Sequence, residues 1–183
     1  MVDAMASTQQ PDDALERLGS ADAGEVLTLQ RAAYVTEAQA HDDLWMPPLT
    51  QSLDDLRGEL ARGALHAWGF REHRRLVAAV RVEVHGDLAR LGRLVVAPDR
   101  QGRGWGTRLL RATEHELIDT VAAIELFTGE HSSANLRLYR RAGYSETGRS
   151  AAGAYDLVQL RKNLRAPGPR EGSRWPAVDP GGE

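Results

Sequence analysis

The sequence predicts an α/β fold of the α+β kind: a single domain with a mixed, mostly antiparallel sheet of six to seven strands and helices on both faces. Three observations carry this. Three strand-like segments follow one another between residues 65 and 97, joined by short turns. The next strand pattern, 123–128, is reached only across a long amphipathic helix, and two more strand patterns close the chain. Hairpin-linked strands ahead of one crossover do not build a doubly wound parallel sheet. A length of 183 residues suits one domain better than two, and 42% hydrophobic with 27% charged residues is ordinary for a chain with a real core.

Each element follows from local pattern. Residues 1–13 are small, polar and broken by Pro11, and read as a flexible leader. Ala14–Leu18 reads as a short first strand. Ser20 and Asp22 offer capping oxygens to a helix over Ala23–Glu37, with Val26, Leu29 and Ala33 on one face. A polar, proline-broken loop follows through Trp45–Leu49, and Ser52 caps a second helix reaching Arg62. Leu65–Glu72 is the next strand. In Leu76–Val84 the side chains alternate, with Leu76, Ala78, Val80, Val82 and Val84 opposite Val77, Ala79, Arg81 and Glu83. Gly86-Asp87 turns the chain into Leu88–Ala97, where Gly92 predicts a bulge and Pro98 ends the strand. The following helix, to Thr120, keeps Leu109, Leu110, Thr113, Leu117, Ile118 and Val121 at helical spacing. Ala123–Thr128 is a strand, Ser132–Ala142 a helix stopped by Gly143, and Tyr144–Thr147 and Ala154–Leu160 are the last strands. The globular part thus spans 14–165. Residues 166–183 are rich in proline and glycine, hold almost no core-forming side chains, and read as a disordered tail.

Composition removes several function classes. A formal net charge of −3 argues against a nucleic-acid partner. The arginine clusters at 71, 74 and 75 and at 137, 140 and 141 have acids nearby and read as solvated faces. The absence of cysteine excludes disulfides, thiolate nucleophiles and cysteine-ligated metals, and the six histidines lack metal-ligand spacing, so no metal is expected. No apolar signal core opens the chain and no run approaches the ~20 apolar residues of a membrane span. A cytoplasmic location with no membrane partner is the expectation.

The segment from Leu94 to Thr107 carries the chemistry. It reads as a strand, a turn and a helix start, with glycines at 102, 104 and 106 that let the backbone approach a ligand. The first amides of a helix have no partner within it, and the helix dipole adds positive charge there, so the segment is a cradle for a diphosphate. Arg100, Arg103 and Arg108 surround it. A dinucleotide-binding fingerprint beginning at Gly102 fails at Thr107, and the lysine of a nucleoside-triphosphate loop is absent.

Two motifs together resemble the GCN5-related N-acetyltransferase (GNAT) superfamily. Gln101, Gly104 and Gly106, after the strand end Val96-Ala97-Pro98, match its acyl-CoA motif. Asn135, Tyr139 and the closing Gly143-Tyr144 look like its second conserved helix. The resemblance covers residues 14–162. It implies transfer of an acyl group, foremost acetyl from acetyl-CoA, to a primary amine on a small molecule or peptide. It also implies that Leu94, Val95 and Val96 pair with the pantetheine arm and that Gln101, Gly102, Arg103, Gly104, Trp105, Gly106 and Thr107 hold the diphosphate. Tyr139 would protonate the departing thiolate, and Asn135 or Ser132 would contact the cofactor. Members often dimerise, so a homodimer is admitted. No sequence feature decides it.

One departure bears on mechanism. A lysine-like amine is neutral in few molecules at pH 7, and deprotonating it costs ~4.6 kcal/mol, so a base or a water chain must help. Members often carry that base on the strand before the glycines, and Leu88–Ala97 holds neither carboxylate nor histidine. Glu83 is the preferred candidate, with Glu125 and the Glu130-His131 pair behind it. Asp42-Asp43, near the Trp45–Leu49 loop, would attract a cationic amine. The competing readings are an acyl-CoA-binding module without turnover, and transfer to oxygen or of a longer acyl chain.

Overall fold

In the computed structural model, which describes residues 14–164, the strands are β1 (Glu16–Arg17), β2 (Leu65–Glu72), β3 (Arg75–His85), β4 (Leu88–Val96), β5 (Ala123–Gly129), β6 (Ser145–Ala152) and β7 (Tyr155–Asn163). The helices are α1 (Ala23–His41), α2 (Pro47–Thr50), α3 (Leu53–Leu60), α4 (Trp105–Leu117) and α5 (Ser133–Arg141). The leader and the tail of the sequence reading lie outside the described residues.

All seven strands join one sheet in the order β1-β2-β3-β4-β5-β7-β6. Every neighbouring pair is antiparallel except β4–β5, so the mixed, mostly antiparallel sheet is as the strand pattern predicts. The parallel pair is brief: Leu88, Ala89 and Arg90 meet Ala123, Ile124 and Glu125, and beyond Arg90 the two strands part. A bulge lies just past that point. Ala79 faces Val95 and Arg81 faces Gly92, so β4 carries one residue more than β3 over this stretch. The left-handed residue is Arg93, with φ 54°, rather than Gly92. Holding a non-glycine residue there costs about 1–3 kcal/mol, and bulges of this kind bend a strand and re-aim its side chains.

Helices cover both faces. On one, Leu109, Leu110 and Leu117 of α4 and Tyr139 of α5 pack on Val80, Val82, Leu91, Ile124 and Leu126. On the other, Val26, Leu29 and Ala33 of α1 and Leu56 of α3 pack on Ala67, Ala79 and Val95. This double cover explains why β3 is buried from Leu76 to Val82 on both of its alternating sets. Arg71 is no solvated surface charge. Its guanidinium holds Glu16 at 3.0 Å, Asp22 at 2.9 Å and Glu25 at 2.5 Å, tying β1 and the start of α1 to β2.

Several ends move relative to the sequence reading. α1 runs one turn further, to His41, and stops where Asp42 turns left-handed at φ 50°. The expected loop at Trp45–Leu49 contains α2, opened by Pro47 and Pro48 in its first turn. β6 reaches Ala152 instead of Thr147. Its side chains are mostly exposed and carry no apolar alternation, so only its ladder with β7 defines it. The Ser52 cap holds, its hydroxyl accepting from the Asp55 amide at 3.1 Å.

Candidate active site

The parting of β4 from β5 creates the site. Along Leu94, Val95 and Val96 only one edge of β4 is laddered, by Ala78 and Ala79 of β3; the edge toward β5 carries no strand partner. An extended polar chain fits such an edge as an added strand. At the end of this edge Pro98–Arg100 makes a single turn, and the chain enters α4 through Gly102 (φ 73°) and Gly104 (φ 85°). Among the described residues, no amide from Gly102 to Thr107 donates to a backbone carbonyl. They form a crown of donors at the start of a thirteen-residue helix. Gly106 sits against Leu94, Val96 and Leu138, which seats the helix start on both the open strand and α5. An extended polar chain ending in a diphosphate has a matching edge and donor set here.

The arginines around the crown differ. Arg100 is paired with Glu72 and with Asp99, and Arg108 lies over Phe70 and Trp105 at 4.4 and 5.1 Å. Arg103 is exposed and makes no ion pair with the described residues. Gln101 turns its side chain back to the Val96 carbonyl at 3.2 Å, bracing the turn.

In the core cluster against which Leu94 and Val96 of this edge pack, α5 places Tyr139. Its ring is core, 5% exposed and edge-on to Tyr144 at 5.8 Å. Burial pushes its phenol well above the ordinary value, with Tyr34 and Glu37 of α1 adding to the shift. Tyr139 therefore stays a neutral hydrogen-bond donor throughout the working pH range. Glu37 is the carboxylate at the centre of this cluster. It accepts from Ser132 Oγ and, at 2.9 Å, from Asn135 Nδ2. Both side chains expected at the cofactor thus face Glu37. One turn further along α1, His41 is buried to 1% of its side chain, and its Nδ1 lies 2.9 Å from the Glu37 carbonyl. Its ring is flanked by Tyr155 at 4.3 Å and His131 at 5.3 Å and rests on Gly129, where a Cβ would overlap it. These contacts pin the C-terminal end of α1 to β5, β7 and the entry of α5. The helix bridges the two halves of the split sheet.

The other sequence candidates stand apart from Tyr139. Glu83 is 46% exposed, 3.5 Å from His85, and is felt electrostatically by Arg81. Glu125 pairs with Arg161 at 2.7 Å. Glu130 accepts from the Asp156 amide at 2.9 Å and faces Arg149 at 3.4 Å. Glu37 and His41 carried no signal beyond their i,i+4 spacing; only the docking of α1 on α5 and β5 brings them to the site. A groove of about 620 Å³ is lined by Gln51, Asp54, Asp55, Glu59, Arg62 and Arg93, the last of which directly precedes the open Leu94–Val96 edge. Among the described residues, no histidine–carboxylate group suits a metal ion, and no helix is long and apolar enough to cross a membrane.

Comparison with known proteins agrees with this geometry. The ribosomal-protein-S18-alanine N-acetyltransferase of Escherichia coli superposes with a TM-score of 0.71 at 18% identity, over 86% of this chain and 97% of that one. The spermidine N-acetyltransferase of Vibrio cholerae, solved with CoA and spermine, gives a TM-score of 0.66 at 16% identity, over 82% and 95%. At these identities the likeness is one of fold. The UPF0157 protein YqkA of Bacillus subtilis (strain 168) is 29% identical over 134 residues, which are 72% of this chain and 37% of that protein. The chain thus spans little more than a third of the length of that curated relative. The model of the acetyltransferase (GNAT) domain matches residues 37–155, more than half of the chain and the whole stretch from Glu37 through the amide crown to Tyr155, and the chain belongs to the GNAT family of acetyltransferases.

Proposed function

We propose that the protein transfers an acetyl group from acetyl-CoA to a primary amine. The observation that carries this is the open edge of β4 running into the unpartnered amide crown of α4, with Tyr139 buried on α5 and Glu37 of α1 close enough to act on it electrostatically. Acetyl-CoA supplies an activated acyl carbon, whose bond to sulfur is exchanged for one to nitrogen. Leu94–Val96 would hold the pantetheine amides, and Gln101–Thr107 the diphosphate with Arg103 beside it.

The remaining work is proton handling. Glu37 is an acceptor poised at the acceptor side of the gap, and Ser132 and Asn135 orient both of its oxygens. In this reading Glu37, not Glu83, takes the proton that the amine must lose, and Asn135 serves the carboxylate. Glu83 remains at the far, exposed end of β3, where a proton would have to leave through water. Tyr139 donates to the sulfur as its charge grows. Because burial holds its phenol above a thiol's ordinary value near 8.5, it stabilises the thiolate by hydrogen bonding, and the thiol proton follows from water.

A binding module without turnover drew its support from the lack of a carboxylate on β4; in this reading Glu37 of α1 supplies that carboxylate instead. Transfer to oxygen or of longer acyl groups uses the same donor site and is separated by the panel below. A cytoplasmic location and a homodimer belong to the same proposal, to be checked by fractionation and light scattering. The deciding experiment measures CoA release from acetyl-CoA with a panel of amines and alcohols, alongside melting curves. Acetyl-CoA should raise the melting temperature by mass action, NADH should not, and amines should release CoA. A shift with NADH alone refutes the site, and acetyl-CoA binding without release by any acceptor refutes the enzyme.

A further inference from the structure

The groove lined by Arg93 contains a charge that the reaction does not explain. Arg93 stands at the bulge of β4, immediately before the strand edge assigned to pantetheine, in a left-handed conformation that glycine would adopt more readily. Its guanidinium lines the groove and lies 5.9 Å from the ring centre of Tyr34. Its Nε is buried and has no hydrogen-bond partner; the guanidinium also hydrogen-bonds the Tyr34 hydroxyl but makes no ion pair with a carboxylate among the described residues. A second guanidinium lies close by. Arg81, 6% exposed, is held by Glu59 and Gln30, each at 2.5 Å, and its Nε is also unpartnered. Burial and the like charge of Arg93 both hold the value of Arg81 down. Of these two cations only Arg81 has a directly paired carboxylate, Glu59, among the described residues.

The surroundings restrict what balances that surplus. Asp54, Asp55 and Glu59 line the same groove, so a doubly charged phosphate would meet repulsion from three carboxylates. A single carboxylate on Arg93, joined to an ammonium that these acids attract, meets both signs correctly. Arg93 is also linked to the reacting end. Its charge acts on Tyr34, and Tyr34 and Glu37 both act on Tyr139. The amine and its anionic partner are therefore placed along one path.

We propose that Arg93 anchors a carboxylate on the acyl acceptor, and that the acceptor is an amino acid or an amine of the same zwitterionic class rather than a polyamine. This rests on the acetyl-transfer reading above. The test compares CoA release with matched pairs that differ only in the carboxylate: β-alanine against β-alaninamide, lysine against lysinamide, and 4-aminobutyrate against butylamine, with spermidine as the polyamine arm. A tripeptide with a free C-terminus, beside its C-terminal amide, separates a peptide source from a free amino acid. Wild-type protein should prefer the carboxylate member of at least one pair by ~10–100-fold, the range of a charge-assisted hydrogen bond. Arg93→Met should reduce that ratio to near one, and Arg93→Lys should retain part of it. Arg93→Gly repeats the test with the backbone conformation favoured, and acetyl-CoA binding by each variant shows that it is folded. Equal rates within every pair, a ratio unchanged in Arg93→Met and Arg93→Gly, or a preference for spermidine overturns the anchor while acetyl transfer stands. Silence with every amine overturns both.

Discussion

Replacing Gly129 with alanine tests whether α1 is held to β5 as described. An added Cβ would come within 2.5 Å of His41 Cε1 and closer still to Nε2, distances that real Cβ atoms do not show. The imidazole cannot simply step aside, because its side chain is 1% exposed and its ring is flanked by Tyr155 and His131. Overpacking of this kind costs about 1–3 kcal/mol, which in a domain of this size lowers the melting temperature by about 2–10 °C. The ring shift also moves the turn of α1 that carries Glu37, so turnover should fall by about tenfold or more, out of proportion to the loss of folded protein. Thermal melts followed by circular dichroism and CoA release on the same samples measure both effects. His41→Ala provides the control: it removes the ring that the new methyl meets, so the double variant should be no less stable than His41→Ala alone, with a coupling of about 1–2 kcal/mol. A Gly129→Ala protein that melts with the wild type, or costs that add in the double variant, would refute the docking of α1 on β5.

Three other perturbations address the site, beside the Arg93 series. Tyr139→Phe keeps the ring that packs against Tyr144 and removes the donor, so turnover should drop by about 100-fold while acetyl-CoA affinity by calorimetry changes little; equal turnover excludes a role at the sulfur. Glu37→Gln should lower the rate at pH 7 by about 100-fold and regain it as pH rises, because the amine then supplies its own free base; a variant with the wild-type pH profile returns the search to Glu83. Gly104→Ala places a side chain at φ 85° with no atom within 4 Å of the new Cβ, so its effect is purely conformational, about 1–2 kcal/mol. Acetyl-CoA binding should weaken with it, and unchanged binding would show that the crown is not the diphosphate site.

The fold and the glycine turn into α4 were legible because they are written in local chemistry. Alternation in Leu76–Val84, the turn at Gly86-Asp87 and the helical spacing after Gly106 specify elements from neighbours in the chain, and the glycines at 102 and 104 announce positive φ directly. The bulge was legible only to within one residue. Gly92 drew attention, but the register against β3 puts the extra residue one step on and leaves Arg93 to take the left-handed conformation. β6 was shortened in the reading because an edge strand with exposed side chains has no apolar period to read.

The cluster around Glu37 and the groove at Arg93 were not legible at all. Glu37 and Ser132 are 95 residues apart, Arg81 and Gln30 are 51 apart, and His41 meets Gly129 across the whole α/β crossover. Sequence alone determined a mixed, mostly antiparallel sheet with helices on both faces and the glycine turn that opens α4, since both depend on residues close in the chain. Only the tertiary structure decided which carboxylate acts on Tyr139 and which arginine lines the groove, because those choices depend on the packing of α1, β4 and α5, segments distant in the chain.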